Sequence, residues 1–239
     1  DQITLSAAHA RAFRGPKGHD AFKLEGATNA PNLRSEHARN SELAARFEQG
    51  SWQFSAELYR STIDDVIADP LGRPTRYQNV GDLESNGYVL SANYQWASLS
   101  AGLSFHHNDI ELNGQPLTVY EYNGIGNTVG DTWTAQVDYH VNRAWQVGWR
   151  GQFVEGIDAL DTSVGTIGKP GYGVHDAYVR WLPTQSDDLA VTLTVNNLLD
   201  KQYLDHASNA DFEHIPGYEG IVGLAEPGRD IRLGVNYRF

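Results

Sequence analysis

The closing stretch Asp230-Ile231-Arg232-Leu233-Gly234-Val235-Asn236-Tyr237-Arg238-Phe239 decides how the chain is read. Successive side chains of an extended strand point to opposite faces. Ile231, Leu233, Val235, Tyr237 and Phe239 therefore share one face, and Asp230, Arg232, Gly234, Asn236 and Arg238 share the other. The same period of two recurs upstream. Leu189, Val191, Leu193 and Val195 oppose Ala190, Thr192, Thr194 and Asn196, while Trp145, Val147, Trp149 and Phe153 oppose Gln146, Gly148, Arg150 and Gln152. Alternating segments also cover Trp133 to Val141, Leu99 to His106, Tyr88 to Trp96, Trp52 to Leu58 and Glu42 to Phe47, with weaker ones at Ile3 to Arg11 and Tyr172 to Leu182. The pattern predicts roughly ten strands, each of about the 9–11 residues that a tilted membrane strand needs.

In the clear segments the apolar faces carry no charge, whereas the opposite faces carry Asp, Glu, Arg and His. A charge at the bilayer midplane costs about 2–4 kcal/mol, and a water-filled lumen tolerates it. A soluble β-sandwich alternates as well, so the connections carry the distinction. Glu48 to Ser51, Gln95 to Ser98, Val141 to Ala144 and Pro183 to Asp188 read as tight turns. Gly15 to Arg39, Ser61 to Asp82, Asn108 to Asp131, Glu155 to Gly171 and Leu198 to Gly228 read as long loops. Short turns at one rim and long loops at the other characterise outer-membrane barrels, and long structureless loops are uncommon in compact domains. Trp52, Trp96, Trp145 and Trp181, four of the six tryptophans, sit beside the short turns. There they predict an aromatic girdle at a membrane–water boundary, with Phe239 at the same level.

Composition narrows the function. The chain has 239 residues, 18 basic and 30 acidic, for a net charge of −12. A nucleic-acid partner is not expected, because phosphate binding needs a basic footprint. There is no Cys, which removes disulfides, thiolate metal sites and cysteine nucleophiles. No Met occurs and Asp1 comes first, so the chain is read as part of a longer translated product. No run approaches the roughly 18 apolar residues of a membrane helix, a test to which a β-barrel is invisible.

Specific words accompany these patterns. Leu193-Thr194-Val195-Asn196-Asn197-Leu198-Leu199-Asp200-Lys201-Gln202-Tyr203, Pro227-Gly228-Arg229 and the closing Asn236-Tyr237-Arg238-Phe239 resemble the C-terminal end of a TonB-dependent outer-membrane receptor. Pro31-Asn32-Leu33-Arg34-Ser35-Glu36, then Asn40-Ser41-Glu42-Leu43, resembles that family's Pro-Asn-Leu-Lys-Pro-Glu box and its following strand. Tyr59 to Ile67 and Tyr77-Gln78-Asn79-Val80 resemble its next hairpin. The resemblance covers essentially residues 1–239 and implies an all-β, antiparallel transmembrane β-barrel. Family barrels have about 22 strands around an N-terminal plug, so the chain is expected to supply about the last ten, without the plug or the TonB-contacting box. Alone, such a segment is not expected to transport.

The resemblance also suggests a cargo. Phe13-Arg14-Gly15-Pro16 and Ala30-Pro31-Asn32-Leu33 resemble the Phe-Arg-Ala-Pro and Asn-Pro-Asn-Leu boxes of haem receptors, which carry a haem-ligating His between them. His19 occupies that interval and is the candidate ligand to haem iron; Gly15 and Ala30 depart from the usual residues. The last long loop holds Tyr203, His206, Phe212, His214 and Tyr218, of which Tyr203, His206 and His214 are candidate contacts to haem or a catecholate complex. For each, a solvated loop position is the competing reading. His106, His107 and His140 are placed on or near lumen-facing positions, where lumenal hydrogen bonding is the expected role. Lumen-facing Arg150, Arg180, Arg232 and Arg238 are expected to pair with carboxylates such as Glu57, Asp138 and Asp176 or with the plug, or to guide an anionic complex.

No enzymatic constellation stands out. Asp64-Asp65 and Asp187-Asp188 are paired carboxylates at loop positions, and Gly124, Gly126 and Gly130 precede no helical pattern. The resemblance implies a non-enzymatic receptor in the outer membrane of a Gram-negative bacterium, taking up an iron complex, haem ahead of a ferric siderophore. It has no intrinsic cofactor; its partners are outer-membrane lipid, the TonB complex and the cargo. A passive porin or structural barrel and a soluble β-sandwich binding module are the alternatives.

Overall fold

The computed structural model describes residues 2–17, 32–68, 77–117, 125–162, 165–186, 188–208 and 224–238. Thirteen strands account for its regular structure: β1 (Gln2–Arg14), β2 (Glu36–Gln49), β3 (Trp52–Ala68), β4 (Gln78–Trp96), β5 (Leu99–Leu112), β6 (Gln115–Pro116), β7 (Thr132–His140), β8 (Trp145–Val154), β9 (Ile157–Thr162), β10 (Gly165–Lys169), β11 (Tyr172–Trp181), β12 (Leu189–Asn196) and β13 (Asp230–Tyr237). One sheet follows the order β1-β2-β3-β4-β5-β7-β8-β11-β12-β13, with β6 folded back on β5. Every neighbouring pair is antiparallel. The ten strands of this meander coincide with the ten alternating segments. A separate hairpin joins β9 to β10.

Register keeps the two faces apart across the whole wall. One row runs Tyr94, Ala101, Val137, Trp149, Ala177, Val195, Ile231, each opposite the next. A second runs Leu90, Phe105, Trp133, Phe153. A slip by one residue would send these side chains to the polar face. Instead the apolar side chains form one continuous and exposed surface, from Val147 at 36% exposure inside the wall to Leu233 at 71% on β13. No second layer of strands covers this surface among the described residues, which is the opposite of a β-sandwich. The buried apolar side chains lie mainly at the long-loop end: Val66, Ile67, Ala68, Leu112, Leu117, Val154, Leu160 and Tyr172.

The short turns share one rim and are bonded to each other. Gln95 N–H donates to Ser51 O, His140 N–H to Ser98 O, and Leu182 N–H to Ala144 O, each at 2.8 Å. Left-handed backbone at Gly50 and Ala97 closes two of these turns. The tryptophan girdle stands at this rim: Trp145 and Trp181 are register partners whose rings stack at 5.7 Å, and Trp52 packs on Tyr94 at 4.7 Å.

At the other rim the strands outrun the expectation. Ser61 to Ala68 and Gln78 to Asp82 were expected in a loop but continue β3 and β4, and Glu36 to Arg39 belong to β2. Asp64 and Asp65 thus lie within a strand, where the register shifts between Ile63 and Val66 and Asp65 takes a left-handed φ of 59°. Asp187 and Phe239 lie outside the described residues.

Candidate functional site

Three hydrogen-bonded knots hold the bases of the long loops. The first joins the sequence words around residues 13–16, 31–36, 64–65 and 77–80. Arg14 Nε donates to Glu36 Oε2 at 2.6 Å and Arg14 Nη2 to Glu36 Oε1 at 3.0 Å, a bidentate pair. Glu36 Oε1 also accepts the Ile67 N–H at 2.7 Å. The Asn79 amide brackets Arg34, accepting its N–H at 2.8 Å and donating to its carbonyl at 3.1 Å, and it donates to Asp65 O at 2.6 Å. The Arg34 guanidinium pairs with Asp65. In sequence Arg14 and Glu36 flank the interval that contains His19, and His19 itself lies outside the described residues.

The second knot closes the last loop. Asn197, left-handed at φ 49°, donates through Nδ2 to Lys201 O (2.8 Å) and Pro227 O (3.3 Å), while its Oδ1 accepts the Lys201 N–H (2.8 Å). Its own N–H donates to Asp176 Oδ1 at 2.8 Å. Asp200 Oδ1 accepts the Arg229 N–H at 2.8 Å, and a Cβ at Gly228 would stand 2.7 Å from that oxygen. Leu204 and Ala225 form a β-bridge above. The two motifs Asn-Asn-Leu-Leu-Asp-Lys and Pro-Gly-Arg are the two halves of one clasp.

The third knot was not foreseen. Lys169, 3% exposed, ends β10 and donates to Asn127 Oδ1 (2.6 Å), Thr128 O (2.7 Å) and His206 O (3.2 Å). Burial lowers its pKa to about 8. His206, 2% exposed, accepts the Gly130 N–H at Nδ1 (3.2 Å), so its proton is on Nε2 and is donated to Pro170 O (3.1 Å). Burial lowers its pKa too. A lysine in a polar loop gives no sequence signal of burial, which is why this brace between three loops escaped notice.

The four candidate ligand residues part company here. His206 has both ring nitrogens engaged within the protein, so in this arrangement it braces the loops. Tyr203 packs on Tyr172 with ring centroids 4.5 Å apart and the planes tilted by 31°, and partial burial with Glu226 and Asp205 nearby raises its phenol pKa. His19 and His214, with Phe212 and Tyr218, lie outside the described residues. Among the described residues no group of three or more His, Asp or Glu is arranged to hold a metal ion.

His106 lies on the polar face and His107 beside it on the opposite one. His106 bonds the Tyr59 hydroxyl at 2.8 Å on the polar face. His107 shares the face of Phe105, against the Tyr88 ring, and bonds Asp131 at 2.6 Å. Adjacent strand residues take opposite faces, so His106 is on a polar-face position and His107 next to one. The expected arginine–carboxylate pairs are also redistributed. Asp138 takes the Tyr178 hydroxyl, Asp176 takes the Asn197 N–H, and Arg232 pairs with Asp230 beside it. Beneath the last loop these polar-face residues line a cleft of about 420 Å³ that includes Thr134, Arg150, Gln152, Asp176, Asn196 and Tyr203.

A strand meander with one apolar and one polar face, short turns below and clasped loops above, is shared with known proteins. Residues 1–198 match the family model "TonB dependent receptor-like, beta-barrel". The heme transporter BhuA of Brucella abortus is 23% identical over 252 residues, covering 100% of this chain and 36% of the relative. The probable TonB-dependent siderophore receptor PiuA of Acinetobacter baumannii is 25% identical over 218 residues, 83% of this chain and 27% of the relative. The FrpB iron transporter of Neisseria meningitidis (F5-1 variant, apoprotein) superposes with a TM-score of 0.80 at 28% identity, over 99% of this chain and 37% of that one. The chain thus spans about a third of the length of these relatives, and the described residues match a barrel wall with no plug among them. With the family model covering most of its length, the chain belongs to the TonB-dependent receptor-like β-barrel family.

Proposed function

We propose that this chain forms part of the barrel wall of a Gram-negative outer-membrane receptor for TonB-dependent uptake of an iron complex, with haem ahead of a ferric siderophore. The observation that carries the reading is that the described ends of the long connections lie at one rim and are tied there by hydrogen bonds, over a polar face backed by an exposed apolar one. Such a wall suits hydrocarbon on one side and a water-filled lumen on the other. Relatives named as a heme transporter and a siderophore receptor support iron-complex uptake. In this reading the cargo binds on the outer loops, and energy delivered through TonB to the plug releases it inward; the family members are receptors and transporters, and the wall needs no bond-breaking chemistry.

The preference for haem rests on His19, which lies in sequence between the two boxes; the paired Arg14 and Glu36 flank that interval. An imidazole there is a suitable axial ligand, with His214 and Tyr203 on the last loop as further contacts. Absorption spectroscopy of the complete receptor with haem tests this. A Soret shift in the wild type that is lost in His19→Ala is expected; no shift in the wild type removes haem as the cargo, and an unchanged shift in the variant removes His19 as the ligand.

A further inference from the structure

Arg150 and Asp176 are register partners on the polar face of β8 and β11, the placement that ordinarily produces a cross-strand ion pair. They form none. Asp176 turns its Oδ1 to the Asn197 N–H, 2.8 Å away, and so belongs to the clasp of the last loop. The other nearby carboxylate on the cleft wall, Asp230, is held by Arg232. Arg150 is left with no hydrogen bond and no ion pair among the described residues. Arg150 lines a cleft of about 420 Å³ together with the engaged Asp176, Asp230 and Arg232, and with Thr134, Gln152, Asn196 and the Tyr203 ring, these last four carrying no charge.

We propose that this cleft receives a carboxylate of the transported iron complex, with Arg150 as its cationic partner. The inference rests on the uptake reading above and deepens it by naming the chemical group recognised. A guanidinium presents its donors in a planar fork that matches a carboxylate. Asn196, Gln152 and Thr134 add neutral amide and hydroxyl groups to the rim, and Tyr203 adds an aromatic face. The cleft sits under the clasp closed by Leu204 and Ala225, so a cargo held by the outer loops meets it on the way into the lumen.

The test uses the complete receptor and two probes, haem and haem dimethyl ester, which differ in their free carboxylates. Affinity is read by quenching of intrinsic tryptophan fluorescence in wild type, Arg150→Gln and Arg150→Lys. Arg150→Gln is expected to weaken haem about tenfold and to leave the ester within about twofold. Arg150→Lys, which keeps the charge and serves if the Gln variant fails to assemble, is expected to fall between for haem and to match wild type for the ester. Equal losses for both probes, or no loss for either, would overturn the inference, the former by assigning Arg150 to a carboxylate of the protein itself. Wild-type receptor that binds neither probe overturns the haem reading and this inference with it, whereas wild type that binds both probes equally overturns the inference alone.

Discussion

The carboxylate of Glu36 sits at the first residue of β2 and is gripped from two directions: by the Arg14 guanidinium at the last residue of β1, and by the Ile67 N–H near the end of β3. Three strands are thereby tied at one point, and the long connection between β1 and β2 is closed at its base. Burial pushes the Glu36 pKa up, but the Arg14 and Ile67 bonds outweigh it and leave it below the ordinary 4.5.

Removing that carboxylate should loosen the loop without unfolding the wall. Glu36→Ala leaves the Ile67 N–H without its acceptor and removes the bidentate bond to Arg14, a loss of about 1–3 kcal/mol. Hydrogen exchange at Ile67 in the complete receptor should speed up while exchange in β11 and β12 stays unchanged. Because the folded pKa is depressed, the contribution is intact above about pH 4.5 and is lost as the pH falls through the folded value. Glu36→Gln should abolish that acid-side dependence.

His206 predicts a second and milder pH response. Its Nδ1 accepts the Gly130 N–H, so protonation would set donor against donor in a buried site. Burial lowers its pKa from the ordinary 6.5, with the Pro170 carbonyl opposing and Lys169 adding to the fall. Since the unfolded loop binds the proton more readily, the brace is at full strength above pH 6.5 and weakens as the pH drops from there through the folded value. Cleavage of the last loop by added protease should accelerate between pH 7.5 and pH 5, on the order of the His titration range, and His206→Ala should cleave fast at both ends.

Lys169→Met keeps most of the side-chain volume but withdraws the donor from Asn127 Oδ1, Thr128 O and His206 O. Asn127 Oδ1 and Thr128 O then lose their donor, while His206 O keeps the Asn127 Nδ2 donor at 2.7 Å, at a cost of about 1–3 kcal/mol. The expected signature is faster exchange at Gly130 together with faster proteolysis of the last loop, since the lysine joins both.

Gly228→Ala tests the clasp between the two C-terminal motifs. The added methyl meets Asp200 Oδ1 at 2.7 Å, so Asp200 must release the Arg229 N–H or the turn must shift. A loss of about 1–2 kcal/mol in local opening is expected, measured as exchange at Arg229. Asn197→Ala, which deletes both Nδ2 bonds and the acceptor for Lys201, should open the same segment more.

The wall was legible because a sheet with one apolar and one polar face imposes a period of two on each of its strands. Trp145 and Trp181, Leu193 and Leu233, Phe105 and Trp133 fell on the correct face and became register partners. Toward the long-loop end of the wall the apolar face stops, and that constraint ends with it. Thr62, Asp64 and Glu84 therefore carry no alternation, and the upper parts of β3 and β4 were read as loop. The family words around Arg34, Asn79, Asn197 and Asp200 were recognised as patterns, but their pairing into clasps depends on contacts between segments far apart in the chain. Arg150 gave no sign of standing alone, because nothing local shows that Asn197 has claimed its cross-strand carboxylate.

The assignment of the two faces is tested most directly by spin labels placed one at a time at positions 99 to 106 of the complete receptor in lipid bilayers. Labels at Leu99, Ala101, Leu103 and Phe105 should collide mainly with molecular oxygen, which dissolves in hydrocarbon. Those at Ser100, Gly102, Ser104 and His106 should be shielded from it and exposed to a polar nickel chelate wherever the lumen is wet. Accessibility that does not alternate, or that alternates with the opposite sign, would contradict a wall standing between lipid and lumen.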